Sequence, residues 1–211
     1  MQVLPLDSSG GMFIRLGVSR ARTGAVTLTR ADERVDALRK LVDKAVTPQL
    51  LAAIAAEHDK GRRLLVATTN LDSEETVIWD MGLLAEGGDE NALRLFRQVL
   101  LASASIPGVF PPVLIAGMTE AGTVRQEMHV DGGATTQVFL YPPALRTAKL
   151  LQDKNEQRER KLYIIRNGRQ DHDWAQVERR TLPIIQKAID SLIQTQGIGD
   201  LYRLYLTAKQ D

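Results

Sequence analysis

The stretch RRLLVATTNLDSEETVIWDMG, residues 62–82, decides how the chain is read. Leu64 to Thr69 is a run of apolar and β-favouring residues of the kind that forms a buried strand. Glu75 to Trp79 is again rich in β-branched and aromatic side chains, so a second strand is expected there. Asp72 and Ser73, between the two runs, supply a turn. Working outward, TPQLLAAIAAEHDKG (47–61) carries a full set of helix signals: Thr47 as N-cap, Pro48 in the first turn, Gly61 as a stop. Before it, RVDALRKLVDKAV (34–46) places Val35, Leu38, Leu41, Val42 and Val46 on one helical face. After it, NALRLFRQVLLASAS (91–105) repeats apolar residues at helical spacing and stops before Pro107. Strands alternating with helices predict an α/β domain with a largely parallel sheet.

The rest of the chain fits that pattern unevenly. VLPL (3–6) is a short strand followed by a flexible turn at Ser8, Ser9, Gly10 and Gly11, and residues 12–30 show little periodicity. IPGVFPPVLI (106–115) is a proline-broken loop entering a strand, and RQEMHVDGG (125–133) and RKLYIIRNG (160–168) read as two more strands. The charged run between them, LLQDKNEQRERK (150–161), reads as a solvated surface segment. Near the C-terminus, Leu182, Ile185, Ile189 and Leu192 recur on one face of a long helix.

Composition excludes several chemistries. The 211 residues are 44% apolar with a net charge of +1, which gives enough material for one core and no electrostatic reason to bind nucleic acid. With no cysteine, thiol nucleophiles, disulfides and thiolate metal sites are all ruled out. His58, His129 and His172 are scattered at no metal-ligand spacing, so no metal is expected. No apolar run is long enough for a membrane span, and the N-terminus lacks the basic-then-apolar pattern of a signal peptide.

Chemistry concentrates at MHVDGGATTQVFLYPP (128–143). A strand ends here in Asp131, and Gly132 and Gly133 allow a positive φ or the close approach of another backbone or a ligand. As a bare motif this is a turn whose Asp hydrogen-bonds its own backbone. His129 shares the strand face of Asp131, although two groups on one strand rarely reach the same hydroxyl. Ser103 and Ser105 suit packing or capping, Asn70 and Asp72 suit turns, and Trp79 suits the core.

Taken together, LLVATTNLDSEETVIWD (64–80), ASASIPGVFPP (102–112) and the DGG of residues 131–133 resemble the C-terminal half of the patatin-like phospholipase/esterase domain. The resemblance runs from about Val35 to Lys209. It implies a three-layer α/β sandwich with a mainly parallel sheet, truncated at its start, in which residues 1–34 are atypical and 35–211 form a single domain. It further implies a lipid acyl hydrolase that cuts carboxylic esters with a Ser-Asp dyad and no cofactor. Asp131 matches the family's catalytic base, with Gly132 and Gly133 beside it.

The family's serine elbow, G-x-S-x-G, does not occur here. GVSRA (17–21) is the nearest approach, which makes Ser19 a candidate nucleophile with Gly10 and Gly11 donating to the oxyanion. Alternatively SSGGM (8–12) is a degenerate oxyanion loop, with Ser9 as a weaker candidate, or the nucleophile is absent. The expected substrates are carboxylic esters or phospholipids. In the competing reading the chain is an inactive fragment that acts through binding or self-assembly, and a homodimer is then expected.

Overall fold

The computed structural model describes residues 31–118, 122–138, 163–165 and 174–210. Its elements run α1 (Ala31–Ala45), α2 (Pro48–Asp59), β1 (Leu65–Asn70), β2 (Glu75–Asp80), α3 (Met81–Glu86), α4 (Glu90–Ser103), β3 (Val113–Met118), β4 (Val124–Asp131), a 3-10 turn (Gly132–Ala134) and α5 (Thr181–Gln210).

Local chemistry sets the boundaries. Thr47 Oγ1 accepts the Leu50 amide at 3.3 Å at the head of α2, and Gly61 takes φ +88° after its end. Asp80 closes β2 and opens α3, since its carboxylate accepts the Gly82 and Leu83 amides at 3.0 and 3.1 Å. Asp89 caps α4 through the Ala92 amide at 2.7 Å. Between β1 and β2, Asn70 Oδ1 accepts the Asp72 and Ser73 amides, which builds the turn, and Glu74 sits at φ +59°.

The sheet corrects the expected topology. Its four strands lie in the order β2-β1-β4-β3, and every neighbouring pair is antiparallel. Among the described residues a mainly parallel three-layer sandwich is not formed. The reason lies in the connections. A parallel pair needs a crossover of a dozen or more residues, whereas residues 71–74 join β1 to β2 and residues 119–123 join β3 to β4. What alternates with helices along this chain is hairpins, not single strands. Of the expected strand at 160–168, residues 163–165 are described, and they carry no strand pairing.

The two hairpins meet along one seam, where Thr68, Thr69 and Asn70 pair with Asp131, Val130 and His129. Just beyond it the chain turns hard against β1. A Cβ added to Gly132 would stand 2.5 Å from the Ala67 carbonyl oxygen and 2.7 Å from its carbon. Only glycine lets these two backbones touch.

Helices cover one face of the sheet. Phe96, Val99 and Ala102 of α4 are buried with Val42 of α1, Val46 just after it, Leu51 and Ile54 of α2, Met81 and Ala85 of α3, and Ile115 of β3. Val66, Trp79 and Val113 pack against this cluster from the same sheet face. By strand alternation, Leu114, Ala116, Met118, Val124 and Met128 fall on the opposite face, where all five are exposed. The C-terminal helix also departs from its expected packing. Leu182, Ile185 and Leu192 are exposed, whereas Gly197, Asp200 and Leu204 form its buried stripe. Polar bonds explain the choice of face: Asp200 Oδ2 accepts the Gln137 amide at 2.8 Å, and Gln137 Nε2 donates to the Ile193 carbonyl at 2.7 Å.

Gly132→Ala is expected to destabilise the chain by about 1–3 kcal/mol, because the new methyl meets unyielding backbone. Urea unfolding of the variant beside the wild type measures this, and an unchanged midpoint would show that the two backbones are not in contact.

Candidate functional site

Asp131 is the last residue of β4 and is held from three sides. Its amide donates to the Ser105 carbonyl at 2.9 Å, just past the end of α4. Its own carbonyl accepts the Thr69 hydroxyl at 3.1 Å. Its carboxylate Oδ1 accepts the Gly133 amide at 2.8 Å. Neither Gly132 nor Gly133 has a positive φ, so the second glycine is not a backbone necessity of that kind. Room at Gly133 is tight: a Cβ there would stand 3.2 Å from Asp131 Oδ1 and press on the carboxylate.

The electrostatics follow from this setting. Burial disfavours the charged form and pushes the Asp131 carboxyl above the ordinary carboxylate value, and the Gly133 amide only partly offsets it. Among the described residues no cationic side chain pairs with this carboxylate. A carboxyl in such a place is a better base near neutral pH than an exposed one, provided an acceptable proton donor comes within reach.

His129, two residues earlier, is fully buried and belongs to a different network under the helices. Trp79 Nε1 can only donate, and it donates to Thr68 Oγ1 at 2.8 Å. Thr68 Oγ1 in turn lies 3.0 Å from His129 Nδ1 and can give its own proton there. In the matching tautomer the ring proton sits on Nε2, which faces Glu127 Oε2 at 3.8 Å. Asn70 Nδ2 donates to the same carboxylate oxygen at 2.8 Å, and Trp79 meets the imidazole edge-on at 5.7 Å between centroids. The histidine is therefore committed to Thr68 and Glu127, and the structure gives it no bond to Asp131.

The serines divide in two groups. Ser103 and Ser105 donate their hydroxyls to the carbonyls of Leu100 and Leu101, as capping groups of α4. Ser19 and Ser9, with Gly10 and Gly11, lie outside the described residues. Thr69 and the Ser105 carbonyl, which fix the main chain at 131, were not singled out from sequence; the doublets at Thr68-Thr69 and Thr135-Thr136 were the only available signal. Among the described residues no cluster of three or more acidic or imidazole groups is placed to hold a metal ion. Among the same residues no helix is long and apolar enough to cross a membrane.

Comparison with known proteins adds no relative: no family model, no curated protein and no solved structure gives a significant match. The functional reading rests on the residues themselves.

Burial lowers the affinity of His129 for a proton, so the folded ring charges below its ordinary 6.5, despite the attraction of Glu127. The unfolded chain then holds more protons in the interval between the two values, and stability must fall as pH drops below 6.5. Asp131 works in the opposite direction: its folded carboxyl keeps a proton above the ordinary 3.8, so its contribution fades as pH rises through the folded value. Urea midpoints at pH 7.5 and 5 should show the wild type losing stability on acidification and His129→Gln losing less. Equal losses would place the acid sensitivity elsewhere.

Proposed function

We propose that this chain hydrolyses carboxylic esters, with Asp131 as the base that activates a serine hydroxyl. The single observation behind it is the setting of that side chain: a half-buried carboxyl, held by one backbone donor, on a main chain clamped at both its amide and its carbonyl. The resemblance of the ASASIPGVFPP and DGG segments to patatin-like enzymes supports the same assignment. In this reaction the serine oxygen attacks the ester carbonyl while its proton passes to Asp131. The tetrahedral intermediate collapses and expels the alcohol, which takes the proton back. Water, deprotonated by Asp131, then attacks the acyl-serine, and Asp131 returns the proton to the serine oxygen as the carboxylic acid leaves.

Ser19 is the first nucleophile to test and Ser9 the second, with the amides of Gly10 and Gly11 as oxyanion donors. Substrates are esters of short to medium acyl chains, or phospholipids, and the reaction calls for no cofactor. Asp131→Asn should lower kcat on a p-nitrophenyl ester by about 10²–10⁴-fold, the usual contribution of a general base. Wild-type kcat/KM should rise with pH through a carboxyl ionisation above 3.8, since the charged form is the active one. An Asp131→Asn protein as active as the wild type would refute the assignment.

A second reading, assembly without catalysis, is favoured by the exposed apolar residues of β3 and β4 on the sheet face opposite Ile115. Leu114 pairs with Met128, and Met118 with Val124, so their side chains form an apolar ladder. Leu114 is 53% exposed, Met118 77% and Val124 66%. Such a contiguous patch commonly marks a contact surface. Under this reading the chain sediments as a dimer and the pair Leu114→Glu, Met118→Glu sediments as a monomer. A wild-type monomer at micromolar concentration would dismiss it.

A further inference from the structure

Four threonine hydroxyls stand in a row on the sheet face away from the helices. Thr69 and Thr76 are cross-strand partners in β1 and β2, so their side chains share that face. The turn after Asp131 brings Thr135 and Thr136 onto them. Thr69 Oγ1 lies 2.8 Å from Thr135 Oγ1, Thr76 Oγ1 lies 2.8 Å from Thr135 Oγ1, and Thr76 Oγ1 lies 3.4 Å from Thr136 Oγ1. At its inner end the row reaches the Asp131 carbonyl through the buried Thr69.

The proton directions in this row follow from the acceptor at its end. A carbonyl can only accept, so the Thr69 proton goes to Asp131 and Thr69 Oγ1 must accept from Thr135. Thr135 also lies 3.4 Å from the Gly132 carbonyl, but the 2.8 Å contact with Thr69 is the shorter. Having given its proton inward, Thr135 accepts from Thr76, and Thr76 accepts from Thr136. Thr69, Thr135 and Thr76 each give one proton and take one, Thr136 gives at the outer end, and all point towards Asp131. Such one-way chains strengthen each member by polarising the next.

We propose that this threonine chain is a positioning device for Asp131, in which Thr69 locks the peptide after the carboxylate as Ser105 locks the peptide before it. The consequence for catalysis rests on the ester-hydrolase reading; the positioning itself does not. With the amide of 131 on Ser105 and the carbonyl on Thr69, both polar groups of the Asp131 main chain are tied down, and the half-buried carboxylate is held against the Gly133 amide. Thr69 touches no reacting atom and is a positioning residue only.

The test uses the full chain with Thr69→Val, which keeps the shape and removes the hydroxyl, and Thr69→Ser, which restores it. The readout is the carbon-detected NMR titration of the Asp131 side chain, assigned by the loss of its signal in Asp131→Asn. The titration midpoint in Thr69→Val is expected to fall towards the ordinary 3.8 as water reaches the loosened carboxylate, while Thr69→Ser keeps the wild-type midpoint. In the p-nitrophenyl ester assay Thr69→Val should lower kcat by about 10–100-fold with KM little changed, the signature of a displaced catalytic group. If Thr69→Val does not fold, Thr76→Val and Thr135→Val interrupt the same chain further out and are read by the same titration.

An Asp131 midpoint unmoved in the folded valine variants overturns the proposal, whatever the ester assay shows. A shifted midpoint in a chain whose wild type has no esterase activity upholds the positioning and discards the hydrolase reading.

Discussion

Everything in this molecule depends on three residue pairs. Thr68, Thr69 and Asn70 meet Asp131, Val130 and His129, and this short ladder joins two hairpins that are otherwise separated by two helices and a proline-containing loop. The seam decides which sheet face the helices cover, and it brings Thr69 to Asp131. Gly132 makes it tight, because any side chain there would collide with the β1 backbone at Ala67. Shared backbone contact, more than apolar burial, sets the geometry at this end of the sheet.

The residues beside the seam are unusually polar for a sheet interior. Thr68, Thr69, Asn70 and His129 are all buried. Unpaired, each would cost on the order of 1–3 kcal/mol. They are paired, on both faces. Beneath the helices runs the line from Trp79 through Thr68 to His129, which faces Glu127. On the other face runs the threonine chain to the Asp131 carbonyl. Asp131 stands at the end of the strand shared by both, with its carboxyl pushed upward by burial. A satisfied network of this kind fixes one arrangement of its members, because shifting any one of them orphans a partner.

Much of the local structure was legible in the chain. Thr47, Pro48 and Gly61 enclose α2 as their chemistry dictates, and the strand runs before and after Asp72 form β1 and β2. Asp131 was legible as a strand-ending residue whose carboxylate takes a nearby amide. Strand direction was not, because apolar periodicity describes one strand at a time and carries no sign for its neighbour. The short joints at 71–74 and 119–123 were the better guide, since each is too short for a parallel return.

The packed face of α5 was misjudged for a related reason. Its apolar residues are spread around the helix, so periodicity alone does not separate the face of Leu182, Ile185, Ile189 and Leu192 from that of Leu204, and Asp200 bonds to residues 137 and 138 on the buried side. The role of Thr69 was equally silent, since a hydroxyl gains meaning only when the fold supplies its acceptor. Cross-strand nuclear Overhauser contacts between β1 and β4 test the seam most directly. Contacts of Thr68 with Asp131 and of Asn70 with His129 are the predicted result. Backbone contacts of Asn70 with Asp131 in their place would mean parallel strands and would contradict it.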